Sequence, residues 1–168
     1  MPYPGCKGCE VHVGFLEDYR IIEEKVNRKV DELLKEHATA SILTTGHSLG
    51  GALSQIGGLR LKQKFNVQVD IHNFGCPRVG NAAMAQYISS RTNSLYRVVH
   101  HKDIVPHLPP ESYLYHHSAY EVFFDEKFIS YVICSDSGED KNCSNQFAPN
   151  YSAADHGFYF LDLGTLKC

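Results

Sequence analysis

Between Gly14 and His37 apolar residues recur at every third or fourth position, at Phe15, Tyr19, Ile22, Val26, Val30 and Leu33, with charged residues between them. That spacing predicts one long amphipathic helix. Ala40 to Thr45 is short and β-branched and stops at Gly46, which reads as a strand running into a tight turn, and a second helical pattern starts near Gly50 with Leu53, Ile56, Leu59 and Leu61. Val69 to Phe74 predicts a second strand closed by Gly75-Cys76-Pro77. Asn81 is placed to cap a helix running to about Arg91, and Leu95 to His100 predicts a third strand. Strands alternating with helices imply parallel strands joined by crossover helices, hence an α/β sheet. After Pro106 the pattern weakens: Ala119 to Phe124 and Phe128 to Cys134 read as strands, and Ser135 to Asn150 as a polar loop.

A chain of 168 residues with 43% hydrophobic residues, ten tyrosines and nine phenylalanines has the material for a packed core of one-domain size. Sixteen Lys and Arg against nineteen Asp and Glu, with no basic block, lack the footprint of a nucleic-acid binder, so no nucleic-acid partner is expected. No apolar run is long enough to span a membrane, and the first residues have neither the charged region nor the apolar core of a signal peptide. Six cysteines are more than a reduced cytosolic domain usually carries. The missing signal and the cysteine count pull in opposite directions.

Gly46-His47-Ser48-Leu49-Gly50 fits G-x-S-x-G, a nucleophile elbow, and lies between a predicted strand and a predicted helix, where that motif has mechanical meaning. The turn forces Ser48 into strained backbone angles, Gly46 and Gly50 are expected to leave no Cβ to collide, and Gly51-Ala52 keeps the first helical turn small. Ser48 is thereby presented at a helix N-terminus, where the Leu49 N–H can donate to a developing oxyanion. The bland alternative is a turn with an ordinary serine cap. A serine nucleophile needs a base, and the base needs an acid to hold its tautomer; in this fold type the order is Ser, acid, His. Asp103 is the first acid beyond the Leu95–His100 strand and is preferred over Asp125 and Asp136. His12, His37, His47, His72, His100 and His101 precede it; His107 is too close to it, and His116-His117 leads into a strand. That leaves His156 as the base.

These residues lie in blocks that resemble the fungal-type (class 3) lipase family of α/β hydrolases, which also contains feruloyl esterases. The blocks are Cys9-Glu10-Val11-His12-Val13-Gly14-Phe15, Thr45 to Leu53, Phe74-Gly75-Cys76-Pro77-Arg78-Val79-Gly80-Asn81, Arg97 to Pro110, and Asp155-His156, in that order. The resemblance implies a partial α/β-hydrolase fold over residues 1–168, with a mainly parallel sheet flanked by helices. It also implies a Ser48, Asp103, His156 triad that cleaves lipid acyl esters through an acyl-enzyme. No cofactor and no metal are expected. The resemblance further implies disulfides Cys6–Cys9 and Cys134–Cys143, a free Cys76, and a Cys168 whose partner is missing; a zinc or thioredoxin-like use of Cys6 and Cys9 lacks the second ligand pair or the βαβ context.

Family members carry a preceding segment, with the first strands, a second oxyanion donor and a lid, of roughly 100 residues by the size of strand–helix units. Without it, the nucleophile strand becomes an unpaired apolar edge prone to self-association. One missing oxyanion donor costs roughly 10²–10³ in rate. Two readings follow: most of a secreted esterase or lipase, extracellular in its full-length form and meeting a lipid–water interface, or a non-catalytic interaction module that uses the open edge. The sequons Asn142-Cys143-Ser144 and Asn150-Tyr151-Ser152 agree with secretion.

Overall fold

The computed structural model describes residues 1–163. The amphipathic stretch forms helix α1 (Val13–Glu36), begun by His12, whose Nδ1 accepts from the Phe15 N–H at 3.4 Å. Strand β1 (Ile42–His47) leads through Ser48 into α2 (Leu49–Phe65), and then come β2 (Val69–Phe74), the two-residue β3 (Gly80–Asn81) and α3 (Ala82–Arg91). Asn81 caps α3 as expected, its Oδ1 accepting from the Met84 N–H at 3.0 Å. The chain continues through β4 (Ser94–His100), β5 (Tyr115–His116), β6 (Glu121–Phe124) and β7 (Tyr131–Ile133), and closes the described region with the small hairpin β8 (Phe158–Tyr159) and β9 (Leu161–Asp162).

The main sheet has the order β1-β2-β4-β6-β7, parallel except for the β6–β7 pair. Helix α2 lies on β1 and β2, and α1 and α3 pack against α2. Leu16, Ile56, Leu59, Ile71, Met84 and Leu95 meet there in one buried cluster. Alternation along the strands puts Ile71 under Gly58, where a Cβ would come within 2.8 Å of the Ile71 side chain, and leaves Leu43 58% exposed on the other face. Strand β1 stands at one edge, with β2 on its inner flank. Among the described residues no helix is long and apolar enough to cross a membrane.

Several boundaries differ from the sequence expectation. The first strand begins at Ile42 rather than Ala40 and runs through Gly46 and His47, because Gly46 pairs with Asn73 as an ordinary strand residue before the turn. The two late strands are shorter than their apolar runs. The polar loop contains a 3-10 turn over Ser144–Phe147, and the β3–β5 pair had no periodic signal at two residues each. Cys6–Cys9 and Cys134–Cys143 are disulfides and Cys76 is free and buried. Cys168 lies outside the described residues.

Candidate active site

Ser48 occupies the turn between β1 and α2 with φ 57° and ψ −125°, a region a β-carbon disfavours, and its N–H donates to the Phe74 carbonyl at 2.9 Å. The turn is that tight because of Gly46: a Cβ there would lie 2.2 Å from the Gly50 carbonyl oxygen. The expectation for Gly50 is corrected, since a Cβ at Gly50 would meet nothing within 4 Å; the second close approach belongs to Gly51, 2.9 Å from the Cys76 Cβ. The Ser48 hydroxyl makes no helix-cap hydrogen bond, which removes the ordinary-cap alternative. Leu49 is the first residue of α2, so its N–H is one of the amides that have no acceptor within the helix.

Ser48 Oγ instead lies 2.8 Å from His156 Nε2, and His156 Nδ1 lies 2.9 Å from Asp103 Oδ2. Asp103 is fully buried in the turn after β4. Its Oδ1 accepts from the Val105 N–H at 2.8 Å, and its Oδ2 also accepts from the Tyr159 hydroxyl at 2.5 Å. An ionised Asp103 can only accept, so His156 Nδ1 carries the ring proton and Nε2 presents a lone pair to the serine. Burial and the neighbouring Asp103 charge hold the Tyr159 hydroxyl well above its usual range, so it remains a donor. Gly75, with φ +55°, leaves the Asp–His pair its room: a Cβ there would lie 2.8 Å from Asp103 Oδ2 and 3.0 Å from His156 Nδ1.

The other candidates have different surroundings. Asp125 Oδ1 accepts from the Ile129 N–H within the β6–β7 turn, and Asp136 lines a groove of about 570 Å³ beside Ser94, at the start of β4 rather than its end. His107 is buried and stacked on Tyr151 at 3.9 Å; burial, reinforced by the Arg78 charge, pushes it down to about 4. His117 is buried and donates from Nε2 to the Pro106 carbonyl at 2.6 Å. His116 donates to the Ser137 carbonyl.

Residues the sequence reading did not single out hold the site in place. Asp155 Oδ2 accepts from the Lys102 N–H and His101 Nδ1, each at 3.0 Å, and Oδ1 accepts from Ser152 Oγ at 2.8 Å. Burial raises this carboxyl, but the bonds from Ser152, Lys102 and His101 outweigh it and keep it below its ordinary value. One layer further out, buried Arg78 clasps Glu139 through Nε at 2.7 Å and Nη2 at 2.8 Å. Glu139 also accepts from the His117 N–H and from Asn145. The Arg78–Glu139 pair and the bonds from Lys102 and His101 to Asp155 join residues more than 50 positions apart and had no local signal; Asp155 and His47 lay inside motifs valued for other residues.

Two groups have metal-like spacing among the described residues, and neither has suitable donors. Cys134 and Cys143 beside Glu121 are joined as a disulfide, and Glu139, beside Glu111 and His116, is already held by Arg78.

Residues 2–113 match the family model for lipase (class 3). The chain belongs to the class 3 lipase family. It is 38% identical over 170 residues to a lipase of Rhizopus niveus, covering 99% of this chain and 43% of that protein. It is 36% identical to secreted mono- and diacylglycerol lipase 1 of Fusarium solani, covering 70% of this chain and 35% of the relative. A triacylglycerol lipase whose catalytic centre is described as formed by a serine protease triad superposes with a TM-score of 0.90 at 34% identity, over 95% of this chain and 62% of the other. The chain thus spans about half the length of the lipases it matches, and its sheet and helices are those of the α/β-hydrolase fold.

Proposed function

We propose that this chain carries the catalytic centre of a carboxylic ester hydrolase acting on lipid acyl esters, with Ser48 as nucleophile, His156 as base and Asp103 as orienting acid. What carries the reading is the hydrogen-bonded line from Ser48 Oγ to His156 at 2.8 Å and on to Asp103 at 2.9 Å, ending at the tip of a strained turn. Ser48 Oγ attacks the ester carbonyl while His156 Nε2 takes its proton, giving a tetrahedral oxyanion to which the Leu49 N–H donates. Collapse expels the alcohol, which takes the proton back from His156. Water, deprotonated by His156, then attacks the acyl-serine, and collapse releases the acid as His156 Nε2 returns the proton to Ser48 Oγ. Asp103 holds the ring and stabilises the imidazolium, keeping its own negative charge throughout.

The mono- and diacylglycerol lipase among the relatives supports a glycerolipid substrate, which this reading places at a lipid–water interface, and the two disulfides agree with an extracellular location for the full-length protein. The edge strand β1, with Leu43 exposed, favours self-association of the isolated chain, to be read as a mass above 18.9 kDa in sedimentation; a monomer overturns that part. The catalytic reading is tested with a fluorophosphonate probe. Covalent labelling of the chain that disappears in Ser48→Ala is the expected result, and a well-folded chain that takes no label overturns it.

A further inference from the structure

We infer that His47, next to the nucleophile, is a positioning residue for the base, holding His156 through its main chain and covering its ring as a neutral imidazole. The inference rests on the catalytic reading above and deepens it. Two contacts converge from one side chain. His47 Nε2 lies 3.0 Å from the His156 carbonyl oxygen, and its ring lies face to face with the His156 imidazole, centroids 4.4 Å apart at 30°. Tyr159, the hydroxyl donor to Asp103, meets the same His47 ring edge-on at 5.2 Å. A carbonyl oxygen can only accept, so the bond fixes the proton of His47 on Nε2 and leaves Nδ1 bare.

The chemistry favours this neutral form. When Ser48 transfers its proton to His156 Nε2, the new imidazolium faces a neutral aromatic ring, an attractive arrangement for a cation. Were His47 itself charged, two cations would lie 4.4 Å apart and the transfer would be opposed. The charged and titratable groups against His47 are His156, across the stack, Asp103 behind it and the Tyr159 hydroxyl. Burial, reinforced by His156, lowers the His47 ring against the opposing pull of the His156 carbonyl and Asp103. His47 exchanges no proton in the cycle: it enters and leaves with Nε2–H in place. The two imidazoles therefore differ in their partners: His156 lies between Asp103 and Ser48, and His47 donates to a main-chain carbonyl.

The test compares the wild-type chain with His47→Phe, which keeps a ring but has no donor and cannot be charged, and His47→Gln, which keeps a donor and loses the ring. Fluorophosphonate labelling rates are measured from pH 5 to 8 alongside thermal unfolding. Both variants are expected to label roughly tenfold more slowly than wild type, the loss typical of one positioning contact. In His47→Phe, which has no second imidazole against His156, the acid limb is expected to change from that of the wild type. Rates and acid limbs identical to wild type overturn the inference, and so does a slower rate fully accounted for by unfolded protein. If the wild type itself takes no label, the catalytic reading fails, and nitrogen-15 NMR decides about His47 separately. A bare Nδ1 and protonated Nε2 at neutral pH uphold the inference, and the opposite tautomer overturns it.

Discussion

From β1 to the end of β2 the chain positions Ser48 by packing; from β5 onward it positions His156 by polar contacts. In the first region the elbow is closed by absent side chains, with Gly46 against the Gly50 carbonyl and Gly51 against Cys76, over a helix whose inner face is buried. In the second the strands are two to four residues long, and order comes from the Cys134–Cys143 link, the Arg78–Glu139 fork, and Asp155 bonded to Ser152, Lys102 and His101. Steric closure tolerates no added atom. A polar scaffold tolerates added atoms better than missing partners, because each buried group left alone loses its hydration with nothing in return.

That contrast predicts where the molecule breaks. The largest effect is expected from Arg78→Ala, which strands the buried Glu139 carboxylate: roughly 3–5 kcal/mol of stability in urea unfolding, as for other buried pairs broken on one side. Its labelling is lost with the fold. Next comes Gly46→Ala, with a methyl carbon 2.2 Å from a main-chain oxygen that cannot swing away, expected to remove about 3 kcal/mol. Here the urea midpoint falls as well, but where folded protein persists it takes no label. If Gly46→Ala labels normally, steric closure does not shape the elbow.

The smallest of the three effects depends on pH. His107 has a folded value of about 4 against an ordinary 6.5, so the folded state prefers the neutral ring. Its contribution is complete above pH 6.5 and is lost as pH falls toward 4, at about 1.4 kcal/mol per unit, so that roughly 2 kcal/mol has gone by about pH 5. His107→Phe retains the stack on Tyr151 and cannot be charged. It is expected to flatten the stability curve between pH 6.5 and 4 in chemical unfolding; an unchanged slope would mean that this ring is not what acid attacks.

The same contrast explains what could be read from the residues alone. Helix α1, the strand Val69–Phe74 and the Asn81 cap announce themselves because periodicity and capping are local. Gly46 misled as a strand terminator because a glycine looks the same whether it ends a strand or lets a helix approach one. In the second region the late strands carry no clear alternation, and Arg78 and Glu139 stand 61 residues apart, so no window along the chain contains their pairing. That Ser48, Asp103 and His156 come together was nevertheless legible, since the order of groups in an elbow-type site restricts the choice. The parts that support them, His47, Tyr159, Asp155 and Gly75, act through contacts that only the folded chain creates.

The Ser48–His156 contact spans 108 residues. The elbow and its packing partners lie between Gly46 and Cys76, whereas the proposed base lies in the chain beyond β4, β6 and the disulfide loop. Contacts of such separation are reached late, because the loop must close before anything rewards it. The expected order is an elbow that closes before the proposed base reaches it. On the proposed catalytic reading, reactivity at Ser48 would mark the moment at which folding is complete.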